Sequence, residues 1–250
     1  MKKKLKLIKK RYRAGIQFLN DPKRIEVNRK SLKEINKRPF RYDVINFLLT
    51  LLERETTYLE IGVRDPKLNF NKINADIKYS VDPGIELKGM PIDFEMTSDI
   101  FFNKLRNNEI LNKDVKFDVI FIDGLHLAEQ VDRDIINALE FIKEDGFIVL
   151  HDCNPPTEYH ASEDYSYRLS PSKDYWNGTT WKAFYKYRKN HGKLSCCIDT
   201  DWGVGVISKT IRLGTVCKVE NPFYEFKVFE KYRVESLNLI SFDDFKSKFS

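Results

Sequence analysis

Four short apolar runs in this chain each end in an acidic residue, and the segments between them carry helical rather than strand periodicity. Thr56 to Ile61 is rich in β-branched and aromatic residues and stops at Gly62, with Glu60 beside the turn. A second strand ends at Ser80-Val81 and is closed by Asp82-Pro83-Gly84. Phe117-Asp118-Val119-Ile120-Phe121-Ile122 ends in Asp123-Gly124, and Gly146 to Leu150 ends in His151-Asp152-Cys153. Helices are expected over Asp43 to Arg54, from Thr97 or Ser98 onward with Ile100, Phe101 and Leu105 inward, over Glu129 to Lys143, and over Thr180 to Lys189. A short helix is expected from Phe70 to Asn74, a weaker strand over Ile92 to Met96, and final strands over Cys196 to Ile198 and Val204 to Ile207. Strands alternating with helices of this length predict an α/β fold, with a parallel sheet covered on both faces. Such sheets bind ligands at the carboxyl ends of their strands, the edge that Glu60, Asp82, Asp123 and Asp152 share.

Charge and cysteine content narrow the function classes. The net charge is +6, but residues 2–13 hold eight cations and no acid, so the rest of the chain is slightly acidic. A basic nucleic-acid-binding body is therefore not expected. The basic arm is compatible with an acidic partner, a membrane surface, or docking of Leu5, Leu7 and Ile8 on the body. No apolar run approaches the ~20 residues of a membrane span, and no secretory signal pattern opens the chain, which sets a cytoplasmic default. Cys153, Cys196, Cys197 and Cys217 form neither a C-x-x-C nor a dense disulfide pattern.

The first turn separates cofactor classes. A dinucleotide site calls for G-x-G-x-x-G, whose backbone amides cradle pyrophosphate. Here the turn reads Gly62-Val63-Arg64-Asp65-Pro66, in which Pro66 has no N–H and Asp65 opposes phosphate. A P-loop is absent as well. Asp82 follows Glu60 by 22 residues, close to the spacing of about 20 at which a second-strand acid holds ribose hydroxyls. An acidic opening followed by a ribose acid suits an adenosine cofactor with a positive centre.

Tyr58-Leu59-Glu60-Ile61-Gly62-Val63-Arg64-Asp65, Val81-Asp82-Pro83, the run from Phe117 to His126, and Val149-Leu150-His151-Asp152-Cys153-Asn154-Pro155 together resemble the class I S-adenosylmethionine-dependent methyltransferases. The chain is similar in particular to their small-molecule and glycan-cluster branch, over roughly residues 40–210. The resemblance implies a Rossmann-like class I methyltransferase fold, a mostly parallel seven-stranded sheet with an antiparallel last strand. It implies that Glu60 and Gly62 border the methionine part of S-adenosyl-L-methionine, that Asp82 holds the ribose, that Met96, Thr97, Ser98 and Asp99 flank adenine, and that Asp123 faces cofactor and acceptor. Pro66 stands where related chains usually place Gly.

His126, three residues beyond Asp123, is the candidate general base. Asp123, Asp152 and Asn154 are candidate oxygen ligands for Mg2+ or another divalent cation. The expected organisation is a basic amino-terminal arm and lead-in helix over 1–40, a methyltransferase core over 41–214 with a substrate lid at 154–178, and a carboxyl-terminal extension over 215–250 packed on the core. In the lid, Tyr159, His160, Tyr165, Tyr167, Tyr175 and Trp176 are candidates to line a sugar pocket, with Arg168 or Lys173 meeting phosphate or carboxylate. The expected substrate is a small molecule, a sugar or nucleotide-linked sugar precursor of a capsular or surface glycan methylated on oxygen. Self-association into a homo-oligomer is left open. The alternatives are another small-molecule O or N acceptor, a nicotinamide oxidoreductase, a nucleic-acid methyltransferase and a noncatalytic glycan-binding protein.

Overall fold

A computed structural model describes residues 2–112, 114–165 and 169–249. The chain runs α1 (Lys2–Leu19), α2 (Pro22–Ile35), α3 (Arg41–Thr50), β1 (Thr57–Ile61), β2 (Ile77–Val81), α4 (Ser98–Arg106), β3 (Phe117–Ile122), α5 (Ala128–Phe141) and β4 (Ile142–Leu150). It continues with α6 (Thr180–His191), β5 (Ser195–Ile198), β6 (Val204–Ser208), α7 (Phe226–Lys231), α8 (Arg233–Leu237), β7 (Leu239–Ile240) and α9 (Phe242–Lys246). A 3-10 turn occupies Phe70–Lys72.

The seven strands form one sheet in the order β2-β1-β3-β4-β6-β5-β7. β1 to β4 are mutually parallel, β6 runs antiparallel to both β4 and β5, and β7 pairs parallel with β5. The antiparallel strand is thus the second arm of the β5–β6 hairpin, inserted between β4 and β5. The strand expected over Ile92 to Met96 is reduced to a bridge between Val81 and Phe94. Asp93 takes over part of its hydrogen bonding, because its Oδ2 accepts from both the N–H and the hydroxyl of Ser80.

Side-chain alternation explains the three layers. On β3 and β4, Ile120, Ile122, Ile148 and Leu150 face a core shared with α4, α5 and α6. Val119, Phe121, Phe147 and Val149 face the opposite core, closed by Val44, Ile45, Leu48 and Leu49 of α3 and Phe245 of α9. Every residue of β3 is buried, as a parallel strand covered on both sides requires. β7 and α9 carry the carboxyl-terminal segment against the sheet, and the pairing of β7 with β5 has no local sequence signal. Residues 3–20, by contrast, are all exposed. Among the described residues no helix is long and apolar enough to cross a membrane.

The two ends of β3 are polar for different reasons. At the amino end Asp118, fully buried, accepts from Arg54 Nε and Nη2 at 2.9 and 2.7 Å, from Lys143 Nζ at 2.7 Å and from the Thr57 N–H at 2.8 Å. This network ties β1, β3 and β4 together at the edge away from the ligand side. Asp118→Ala should cost about 2 kcal/mol of stability, because the Thr57 N–H and Lys143 lose their acceptor while Arg54 keeps only Asp145. Chemical denaturation would measure the loss; a cost below about 1 kcal/mol would mean that the network is dispensable.

Candidate functional site

The carboxyl edge of the sheet gathers acids, imidazoles and one guanidinium. Asp123 leaves β3 and Asp152 follows β4, and the two are bridged by two histidines. His126 places Nε2 3.2 Å from Asp123 Oδ1 and Nδ1 3.2 Å from Asp152 Oδ2. His151 Nδ1 lies 3.1 Å from Asp123 Oδ1 and 3.3 Å from Asp152 Oδ2. On its other side His151 Nε2 faces Asp201 Oδ1 at 3.5 Å and Arg41 Nη1 at 3.1 Å. Arg41 bonds Asp201 through Nη1 at 3.1 Å and donates its backbone N–H to the same carboxylate at 2.9 Å. Its Nε is 3.8 Å from Asp123 Oδ2.

Local conformation aims these groups. Asp152 adopts a left-handed φ of 59°, and Asp201 and Trp202 adopt 41° and 64° in the β5–β6 turn. Non-glycine residues rarely hold such angles unless their surroundings impose them. The Asn177 carboxamide donates to Asp152 Oδ1 at 2.6 Å. Trp176 stacks on the His126 ring with centroids 5.3 Å apart, and its carbonyl oxygen lies 3.3 Å from His126 Nδ1. Gly178 permits this closeness, since a Cβ there would sit 2.1 Å from the His126 carbonyl oxygen.

The charges of this cluster decide its protonation. Burial opposes the charge on both imidazoles, but the neighbouring carboxylates prevail: His126 is pushed up to about 9, and His151 well above the ordinary histidine value. Burial likewise favours a neutral Asp123, yet His151, His126 and Arg41 hold its carboxyl far below the usual range. Asp201 is lowered in the same way by His151 and Arg41 against its own burial. With both imidazoles protonated, three carboxylates are matched by Arg41 and two imidazoliums. With both neutral, two negative charges are left over. Asp123, His126 and Asp152 also present ligand atoms all within 4.8 Å of one another. The negative charge left over in the neutral-imidazole form, together with the oxygen and imidazole donors, fits a divalent cation.

The cofactor-side residues occupy the adjoining loops. Glu60 is 1% exposed and accepts at Oε2 from the Tyr58 hydroxyl at 2.6 Å and from Asn69 Nδ2 at 2.9 Å. Gly62 has φ 83°, and a Cβ there would lie 2.3 Å from the Asp123 carbonyl oxygen, so the first turn needs glycine to let the β3 loop pass. Asp82 accepts from the Arg64 N–H at 3.0 Å and from the Gly84 N–H at 2.7 Å, which locks both turns around one carboxylate. Met96 is half-buried against the core. Thr97 caps α4, the Ser98 hydroxyl accepts from Gln130 Nε2 at 3.2 Å, and Asp99 pairs with Arg133 at 3.3 Å.

Several expected placements differ. The Asn154 carboxamide turns from Asp123 toward the carboxyl-terminal segment, accepting from Arg233 at 2.5 Å and donating to Asp199 at 3.2 Å; His126 is the third donor beside the two acids. His160 is fully buried between Ser31 Oγ at 2.9 Å and Thr157 Oγ1 at 2.8 Å, which makes it an interior brace. Burial lowers it to about 4, so it is neutral. Tyr175 stacks on Trp202, Tyr165 lies against Trp176, and Lys173 reaches Asn28 Oδ1 at 3.3 Å. Tyr167 and Arg168 lie outside the described residues. Arg41, His151 and Asp201 were not among the expected site residues. The signal for His151 was its place at the end of β4, whereas Arg41 and Asp201 meet across 160 positions of sequence.

Residues 50–153 match a family described as a methyltransferase domain. No curated protein matches the sequence. Among solved structures the chain is similar to the O-methyltransferase from Bacillus cereus in complex with SAH, at 13% identity over 76% of this chain and 92% of that one, with a TM-score of 0.42. It is similar to the O-methyltransferase TomG from Streptomyces achromogenes in complex with SAM, at 10% identity over 76% and 91%, with a TM-score of 0.39. It is also similar to the MycE methyltransferase of the mycinamycin pathway in complex with Mg, SAH and mycinamycin VI, at 13% identity over 73% and 51%, with a TM-score of 0.40.

Burial raises the Glu60 carboxyl to about 7, offset in part by its bonds from Tyr58 and Asn69. The fold therefore favours the protonated acid, and the stability that Glu60 contributes is complete below about 4.5 and lost as pH rises through about 7. Glu60→Gln keeps an acceptor for both donors and removes the titration. Its melting temperature relative to wild type should rise by about 2 to 4 degrees or more between about pH 5 and about pH 8 without ligand. A difference that stays constant with pH would count against a buried charge at this position.

Proposed function

We propose, from the match of residues 50–153 to a methyltransferase-domain family, that this chain is a class I S-adenosylmethionine-dependent methyltransferase that transfers a methyl group to a hydroxyl of a sugar or nucleotide-linked sugar precursor of a capsular or surface glycan, in the cytoplasm. The observation that carries the reading is the cluster of Asp123, His126, His151 and Asp152 at the carboxyl edge of β3 and β4, beside the loops of Glu60 and Asp82. The preference for a glycan acceptor comes from the likeness of the sequence to the glycan-cluster branch. In this reading residues 41–214 are the catalytic core, 154–178 the substrate lid and 215–250 a supporting extension.

The bound cofactor supplies a methyl group on a sulfonium, so the protein has to orient an acceptor oxygen and manage its proton. Asp82, with both carboxylate oxygens already positioned by backbone N–H groups, has remaining lone pairs for two ribose hydroxyls. Glu60 presents an acid to the cofactor's amino group, whose positive charge favours the ionised carboxylate. Gly62 keeps the first turn close to Asp123, while Met96 to Asp99 line the adenine side. Trp176, stacked on His126, shields the acceptor from water.

Asp123 and Asp152, with His126, would hold a divalent cation whose Lewis acidity lowers the pKa of the acceptor hydroxyl. The two charges left over when both imidazoles are neutral favour this form. In the cation-free alternative His126 takes the hydroxyl proton in its neutral form, which prevails only above about pH 9, and Asp152, 3.2 Å from Nδ1, holds the resulting imidazolium.

Incubation with labelled S-adenosylmethionine and a panel of sugar nucleotides should give an O-methylated product. Extensive chelation should abolish transfer and added magnesium should restore it, whereas full activity in metal-free buffer would assign the proton to His126. Asp123→Asn should lower turnover by about 100-fold or more, with cofactor affinity changed far less. Asp82→Ala should weaken binding of S-adenosylhomocysteine by roughly 10- to 100-fold in calorimetry, the loss expected for hydrogen bonds to a charged group. Unchanged affinity would remove Asp82 as the ribose anchor, and failure to bind the cofactor at saturation would overturn the proposed activity.

A further inference from the structure

Methyl transfer leaves α1 without a task. The helix covers Lys2–Leu19 in 18 residues, about 27 Å in length, and residues 3–20 are all exposed. Leu5, Ile8, Tyr12, Ile16 and Leu19 recur at intervals of three and four, the spacing that stacks side chains on one helical face. They are 57%, 55%, 70%, 42% and 71% exposed, so the stripe packs on nothing in the fold. Seven cations and no acid occupy residues 3–13, and among the described residues none of these seven makes a salt bridge. The helix is anchored at its far end, where the Arg24 guanidinium lies 3.6 Å over the Phe18 ring and Asp21 caps α2.

A solvated arm explains the cations but not a five-residue apolar stripe. A nucleic acid would use the cations and leave the stripe in water. A second copy of α1 would cover the stripe but bring two sets of cations together. An anionic bilayer surface satisfies both features, since phosphates meet the cations and the acyl boundary receives the stripe. Tyr12, with an apolar ring and a polar tip, suits the same boundary. The helix is too polar to span a membrane.

We propose that α1 lies in the interface of an anionic phospholipid membrane, with the Leu5–Leu19 stripe inserted and the cations on the headgroups, holding the catalytic core at the membrane surface. This inference rests on α1 alone and stands apart from the identity of the methyl acceptor.

The test is co-sedimentation of the full chain with vesicles of phosphatidylcholine containing about 30% phosphatidylglycerol, against vesicles of phosphatidylcholine alone. Binding should favour the anionic vesicles by about tenfold or more and weaken with salt. The variant Ile8→Gln, Tyr12→Gln, Ile16→Gln keeps every cation and uses a good helix former, yet should lose about tenfold or more in vesicle affinity. The variant Lys6→Gln, Lys9→Gln, Lys10→Gln, Arg13→Gln should lose the preference for anionic lipid. Wild type that ignores anionic vesicles at low salt would overturn the proposal. So would a stripe variant that binds as tightly as wild type, duplex DNA that outcompetes the vesicles, or a dimer that buries α1 and excludes them.

Discussion

Every residue of β3 is buried, and that constraint organises the molecule. A strand buried on both faces between parallel neighbours can place polar chemistry only at its ends. At one end the Asp118 carboxylate is surrounded by Arg54, Lys143 and a backbone N–H, which spends its charge on holding three strands together. At the other end Asp123 emerges among two imidazoles and Arg41. The two aspartates are chemically alike and sit five positions apart, one within β3 and one just past its end. The first accepts from Arg54, shared with Asp145, and from Lys143 and Thr57; the second shares its histidines with Asp152.

That sharing makes the edge of the sheet a charge-regulated site. Asp123, Asp152 and Asp201 are close enough that they would repel one another without compensation. Arg41 neutralises one negative charge permanently, and the other two are met by protons on His126 and His151. The strained backbone at Asp152 and Asp201 fits this picture, because the surrounding hydrogen bonds hold carboxylates where local preference would not put them.

The sequence disclosed what depends on local pattern and concealed what depends on long-range meeting. β3 was legible because six apolar or alternating residues stop abruptly at Asp123-Gly124, and β1 because β-branched residues stop at Gly62. The Glu60-to-Asp82 interval reads as that of an adenosine site. Ile92 to Met96 reads as a strand by composition, but Asp93 turns back onto Ser80 and leaves a single bridge. β7 is two residues long and exists because β5 offers it an edge. The run of cations in α1 was compatible with an acidic partner or a membrane surface from sequence, whereas the exposure of its apolar residues along the helix was visible only in the fold. Asn154 sits where a metal ligand was expected, but Arg233, from the carboxyl-terminal segment, claims its carboxamide.

The pairing of Arg41 with Asp201 spans 160 positions, and it sets the order in which the site can come into being. As the chain leaves the ribosome, Asp123, His126, His151 and Asp152 emerge while the β5–β6 turn is still unmade. The nascent edge therefore holds its histidines and acids without the carboxylate that fixes Arg41, and the wall formed by that guanidinium closes only when the hairpin folds back between β4 and β5. A ribosome-bound fragment that ends before the β5–β6 turn would carry residues 50–153, which match the methyltransferase-domain family, without the carboxylate that fixes Arg41.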